Sequence, residues 1–215
     1  MLKREFRPVM REVSMDIRTL PQANPRPDSG PSATSRSLRS GHPASTVAIH
    51  WMTVVAIVVA VAVMFVRDAV EDRVWRQVLL EMHRQLGLLV LMSAGVRIAI
   101  RLRKGLTDHA PDMAAYLRWG AKAAHGLMYG VLIALPLLGW AVTSAHGMSL
   151  TFLGSVPLPK ILTADSELAD TLTDYHVWLA WGLLGLVVAH VGAAVWHHFV
   201  RKDGVLRAML PKGGR

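Results

Sequence analysis

The sequence predicts an all-α integral membrane protein built as a four-helix bundle, and three observations carry that prediction. Hydrophobic residues make up 52% of the 215-residue chain against 18% charged, a balance far more apolar than that of a soluble domain. The apolar residues fall in four blocks, each close to the ~20 residues that cross a ~30 Å hydrocarbon core. Lipid offers the backbone no hydrogen-bonding partner, so blocks of that length must be helices.

Residues 1–45 are rich in Pro, Ser and Arg with little apolar periodicity, the composition of a disordered basic tail. The tail reads as retained, because the apolar stretch behind it has the length of a membrane span and shows no clear small-residue cleavage site. A membrane domain follows over residues 46–200, with spans at about 46–66, 78–100, 121–143 and 176–199, and a second basic tail occupies 201–215. The second span is the least apolar: Glu81, His83 and Arg84 lie near its start and Arg97 near its end. Lys and Arg are concentrated in residues 1–45, in the connection holding Arg101, Arg103, Lys104, Arg118 and Lys122, and in the final tail. The other two loops hold Arg67, Arg73 and Arg76, and Lys160 alone. By the positive-inside rule both termini are cytoplasmic. The net charge of +9 is thereby explained by topology, and no nucleic-acid partner is expected. With no cysteine, the chain can form no disulfide, iron–sulfur cluster or covalent c-type haem link of its own.

Ionisable residues inside a span are costly and point to function. A single neutral histidine is more simply explained by a hydrogen bond to a facing helix or by an interfacial position, but here the positions are not independent. In the fourth span His176 and His190 are fourteen residues apart, close to four turns, so they share one face at depths about 21 Å apart. That face also carries Ala180, Leu183, Val187 and Ala194, leaving room for a flat, bulky group. The opposite face has Gly182, Gly185, Ala189 and Ala193, a small-residue ridge expected to pack on another helix. His50 near the inner end of the first span matches the depth of His190, and His83 near the outer end of the second matches that of His176. Two histidines per site among apolar walls suit zinc poorly and suit six-coordinate haem iron well. Two b-type haems are therefore expected, with His50 and His190 on one and His83 and His176 on the other.

His125, at the start of the third span, competes with His50 for the inner site. Arg97 is either a partner of an inner haem propionate or an interfacial anchor. His197 and His198 read as interfacial, and His42, His109 and His146 carry no assigned chemistry.

Four stretches carry a family resemblance: "AIHWM" in the first span, "EMHRQLGLLVLMSAGVRIAIRL" across the second, "AAHGLMYGVLIALPLLGW" across the third, and "DYHVWLA" with "VVAHVGAAVWHHFVRKDGVLRAMLP" closing the chain. With them residues 46–212 resemble the bacterial cytochrome b561 family; the long N-terminal extension departs from its usual short start. The resemblance implies an inner-membrane di-haem cytochrome b whose axial ligands correspond to His50, His83, His176 and His190. It also implies electron transfer to ubiquinone or another quinone, with superoxide as donor in the characterised member. Related cytochromes anchor a separate hydrogenase or dehydrogenase, so a redox partner protein is the alternative expectation. A haem-free transporter fits less well, since neither internal repeats nor broken mid-membrane helices are evident.

Overall fold

The computed structural model describes residues 44–104, 115–203 and 205–210. Four long helices organise them: α1 (Ala44–Ala69), α2 (Arg73–Lys104), α3 (Ala115–Ala145) and α4 (Ser166–Trp196). All four are long and apolar enough to cross a membrane, in the number and order the apolar blocks predict. Apart from Ala44 and Ser45, which open α1, the expected N-terminal tail lies outside the described residues, as do His42 and His109.

Each helix overruns its apolar block, because polar residues at the ends supply caps. Asp72 accepts hydrogen bonds from the Val74 and Trp75 amides at 2.8 and 3.0 Å, starting α2 three residues after α1 ends. Asp165 accepts from the Leu168 amide at 3.0 Å, so α4 begins with polar residues well before its predicted span. Four apolar side chains that face away from the other helices, Val58, Phe65, Trp178 and Val188, are each more than 60% exposed. That exposure suits contact with lipid.

The helices pack most extensively in chain order, α1 on α2, α2 on α3 and α3 on α4, and α4 has no comparably extensive contact with α1 or α2 among the described residues. The α1–α2 seam is made by small residues that let backbones come together: Ala56 and Ala60 on α1, Ser93 and Ala94 on α2, all buried. Within it the Thr53 and Ser93 hydroxyls meet at 3.0 Å. Thr53→Val keeps the shape and removes that bond, and is expected to destabilise the bundle by about 0.6 kcal/mol and at most about 1.7. Unfolding in detergent checks this, and an unchanged midpoint would deny the bond any net role.

The core joins Ala56, Val90, Ala94, Val131, Leu132 and Leu183. Leu183 lies seven residues from both His176 and His190, and Val90 seven after His83, so this apolar layer sits midway between the two histidine levels. α4 enters it through the long Leu183 side chain.

The ridge of Gly182, Gly185, Ala189 and Ala193 does not pack on a helix. All four are exposed, and added Cβ atoms at Gly182 and Gly185 would meet nothing within 4 Å. The histidine-bearing face of α4 is the one turned into the bundle. Leu179, Leu183, Leu186 and Val187 there gain the contacts with the core that the ridge lacks.

Two further elements escape a hydropathy reading. In the α3–α4 connection β1 (Thr151–Phe152) pairs antiparallel with β2 (Val156–Pro157) across Leu153 and Gly154, both at positive φ, as a tight hairpin turn requires. Gln85 on α2 holds this hairpin, donating to the Thr151 carbonyl at 2.7 Å and accepting from the Leu153 amide at 2.9 Å. At the other end α4 runs into a π-helical turn (His197–Arg201) and a short α5 (Val205–Met209). There the Trp51 indole N–H donates to the Met209 carbonyl at 2.8 Å, tying α5 to α1 beside His50.

Candidate functional site

Two histidine clusters stand at opposite ends of the bundle. In the one at the end expected to face outward, the α2 histidine, His83, and the α4 histidine, His176, have ring centres 6.0 Å apart and planes inclined at 77°. His83 Nδ1 lies 3.0 Å from the Ala60 carbonyl on α1. A carbonyl can only accept, so Nδ1 carries the proton and Nε2 keeps its lone pair for a ligand. His176 is seated against α3, where Gly139 makes room: a Cβ there would stand 3.2 Å from His176 Cε1. Its buried Nδ1 makes no well-aligned hydrogen bond, although the Leu135 carbonyl of α3 lies within reach.

The inner cluster gathers His50, Arg97, His125 and His190. The His125 and His190 ring centres are 5.6 Å apart. His50 and Arg97 both lie within electrostatic reach of His190. His125 is exposed, and its Nδ1 donates to the Ala121 carbonyl one turn back at 2.7 Å. His50 is partly buried, and its Nδ1 has no partner. Arg97 lies 5.6 Å from the centre of the Tyr129 ring, which Arg101 approaches from 6.0 Å. Tyr129 and Gly139 are the neighbours that sequence reasoning missed, since no spacing within one helix reveals a contact between two.

Whether these residues fit haem can be tested on the geometry. Metal–imidazole bonds of about 2 Å hold the ring centres of two imidazoles on opposite sides of one ion roughly 6 Å apart, and the outer pair has that separation. A buried polar nitrogen without a partner costs about 1–3 kcal/mol, and His50 carries one. No three His, Cys, Asp or Glu side chains among the described residues, the three inner histidines included, come close enough together to hold a metal ion as a protein-only cage. Added Cβ atoms at Gly87, one turn from His83, and at Gly126, beside His125, would meet nothing within 4 Å. The donor set and the space fit a flat, metal-centred group held by two imidazoles.

His197 and His198 lie elsewhere, at the end of α4. His197 Nδ1 donates to the Asp203 carboxylate, with Arg201 Nε 3.9 Å away. That hydrogen bond holds the half-buried Asp203 carboxyl below its ordinary value of 3.8. His198 lines a surface cavity of about 270 Å³ with Phe199, Lys202, Asp203 and Arg207. His146 binds only the Val142 carbonyl of its own helix, at 2.9 Å.

Comparison with known proteins gives this arrangement a family. The family model described as Prokaryotic cytochrome b561 matches residues 41–212. Cytochrome b561 homolog 1 of Escherichia coli (strain K12) is 30% identical over 167 residues, 76% of this chain and 93% of the relative. Cytochrome b561 homolog 2 of the same organism is 28% identical over 167 residues, 77% and 88% of the two chains. The Probable superoxide oxidase CybB of Yersinia pestis is 30% identical over 166 residues, 77% and 93%. A match running from the start of α1 past the end of α5, through both histidine clusters, carries the conclusion: the chain belongs to the prokaryotic cytochrome b561 family, b-type haem proteins of membrane electron transfer.

Proposed function

We propose that this cytochrome holds two b-type haems and reduces membrane quinone, with superoxide as the electron donor. The observation that carries the reading is the pair of histidine clusters, one toward each end of the bundle, separated by a layer of apolar side chains. The bound haem iron supplies one-electron redox chemistry that no side chain here offers. In the overall reaction two superoxide anions each lose one electron and leave as dioxygen, while one quinone gains two electrons and two protons to become quinol.

The chain's own part is to bind, orient and insulate. His83 and His176 are the proposed outer ligands, with the Ala60 carbonyl fixing the His83 tautomer and Gly139 admitting the His176 ring. His50 and His190 are the proposed inner ligands. His50 is preferred to His125 because its buried Nδ1 lacks a protein partner, whereas His125 is exposed and hydrogen-bonded within its own helix. Arg97, in reach of both inner histidines, is placed to pair with a propionate there. The apolar layer of Val90, Leu132 and Leu183 keeps water from the space between the two levels.

The basic side chains flanking α1, α4 and the α2–α3 connection support a bacterial inner-membrane topology with both termini in the cytoplasm, which faces the His83 level outward. At that outer end Arg67, Arg73, Arg76, Arg84 and Lys160 are outnumbered by Asp68, Glu71, Asp72, Glu81, Asp165, Glu167, Asp170 and Asp174. The field of the whole surface therefore does not draw an anion in; attraction is confined to the arginines beside His83. The expected reduced-minus-oxidised spectrum is that of two b-type haems per chain, and purified protein in liposomes should accelerate quinone reduction by superoxide. No haem would remove the reading; two haems without acceleration would remove superoxide alone.

A second reading, a haem-bearing anchor for a separate dehydrogenase or hydrogenase, is favoured by one observation. The hairpin and its continuation expose apolar Leu153, Val156 and Ile161, side chains suited to a protein contact. A stoichiometric soluble subunit co-purifying in mild detergent would decide for it.

A further inference from the structure

The outer end holds two arginines whose charge the described protein only partly answers. Arg67 lies on α1 seven residues beyond Ala60, the residue whose carbonyl receives the His83 proton. Seven residues are nearly two turns, so Arg67 is on the same face of α1, about 10 Å farther out. One of its terminal nitrogens touches the neighbouring Asp68 at 3.2 Å, while its Nε is buried with no partner. Arg84 follows His83 directly. Its side chain is only 11% exposed, and Glu81 lies 3.4 Å away. The remaining described contact of its guanidinium is the Met148 sulfur, also at 3.4 Å. Both guanidinium groups lie within electrostatic reach of His83.

Five N–H donors on a buried guanidinium need acceptors, and a thioether is a weak one. A largely buried cation such as Arg84 is costly to leave part-paired, and with the buried Arg67 Nε also unpartnered this corner can take a further anionic oxygen beyond Asp68 and Glu81. A b-type haem brings two carboxylates at one edge of its plate, and a planar guanidinium fork matches a carboxylate in charge and shape. We propose that Arg67 and Arg84 bind the propionates of the haem carried by His83 and His176, an inference that rests on the haem reading above. Arg97 is the proposed counterpart at the inner level, so arginine would anchor the plate at each end of the bundle.

The test uses the full chain in detergent, with Arg67→Gln and Arg84→Gln measured separately by haem content, resonance Raman spectroscopy and redox titration. Haem content should stay at two per chain. The propionate bending band of one haem should shift, and the midpoint potential of that haem should fall, because a nearby cation favours the reduced form. Arg67→Lys and Arg84→Lys retain the charge but lose the fork, so they should shift the band while largely preserving the potential. If a Gln variant loses one haem, retention of that haem with an altered band in the matching Lys variant supports the same pairing. Unaltered propionate bands in both Gln variants, with two haems present, would overturn the inference even if the potentials fell, since a distant charge explains that. Fewer than two haems in the unmodified protein would instead defeat the parent reading, and this inference with it.

Discussion

His176→Ala is expected to lower haem content from two per chain to one, leaving the inner haem spectrally unchanged. The imidazole has no substitute at its level: among the described residues its ring neighbour is His83, and Gly139 offers no side chain. The His190 level is about 21 Å away along α4, with Leu183 buried between, so losing one site should not reach the other. A companion change tests the seat rather than the ligand. At Gly139 even a bare Cβ falls 3.2 Å from His176 Cε1, and the further methyl groups of Gly139→Val would push the ring off its position. Gly139→Val should therefore lose the same haem, whereas Gly139→Ala should retain it with altered ligand-field bands. Haem quantified against protein reads all three. A helical, monodisperse His176→Ala protein that keeps two haems would show that His176 is no ligand.

At the inner level the decisive pair is His50→Ala against His125→Ala. Loss of one haem is expected from the first and retention of both from the second. The His125 ring centre lies 5.6 Å from that of His190, yet His125 is exposed and already hydrogen-bonded within its own helix. His50 has a buried nitrogen with nothing to bind, and Trp51 beside it ties α1 to α5. The reverse outcome, haem lost with His125 and kept without His50, would move the inner site onto α3. It would also move the inner plate from the α1–α4 side of the bundle to the α3–α4 side, with Tyr129 and Arg97 beside it.

Much of this was legible in the sequence because membrane helices obey few rules. Length and hydropathy fix the number of spans, and a fourteen-residue spacing fixes a common face without any knowledge of what lies opposite. Tertiary neighbours are less readable. The glycine-rich ridge on α4 looks made for helix packing, but lipid tails are as apolar as a facing helix, so hydropathy cannot tell which of two apolar faces turns inward. The hairpin over Gln85 has strands of two residues, too short to show alternation. Polar caps such as Asp165 extend helices beyond what an apolar block reveals. Gly139 stands in a run of apolar residues like many others, and only its contact with His176 gives it meaning.

The order of the helices also bears on how the protein is made. α4 leaves the ribosome after α1, α2 and α3, and on the proposed pairing it carries one imidazole of each site, while α1 and α2 carry the others. Neither haem can then be gripped from both sides until α4 has been made. The first three helices can enter the membrane and associate through their small-residue seams beforehand. On that pairing cofactor loading waits for the fourth helix, and each arriving plate would join it to one of the first two.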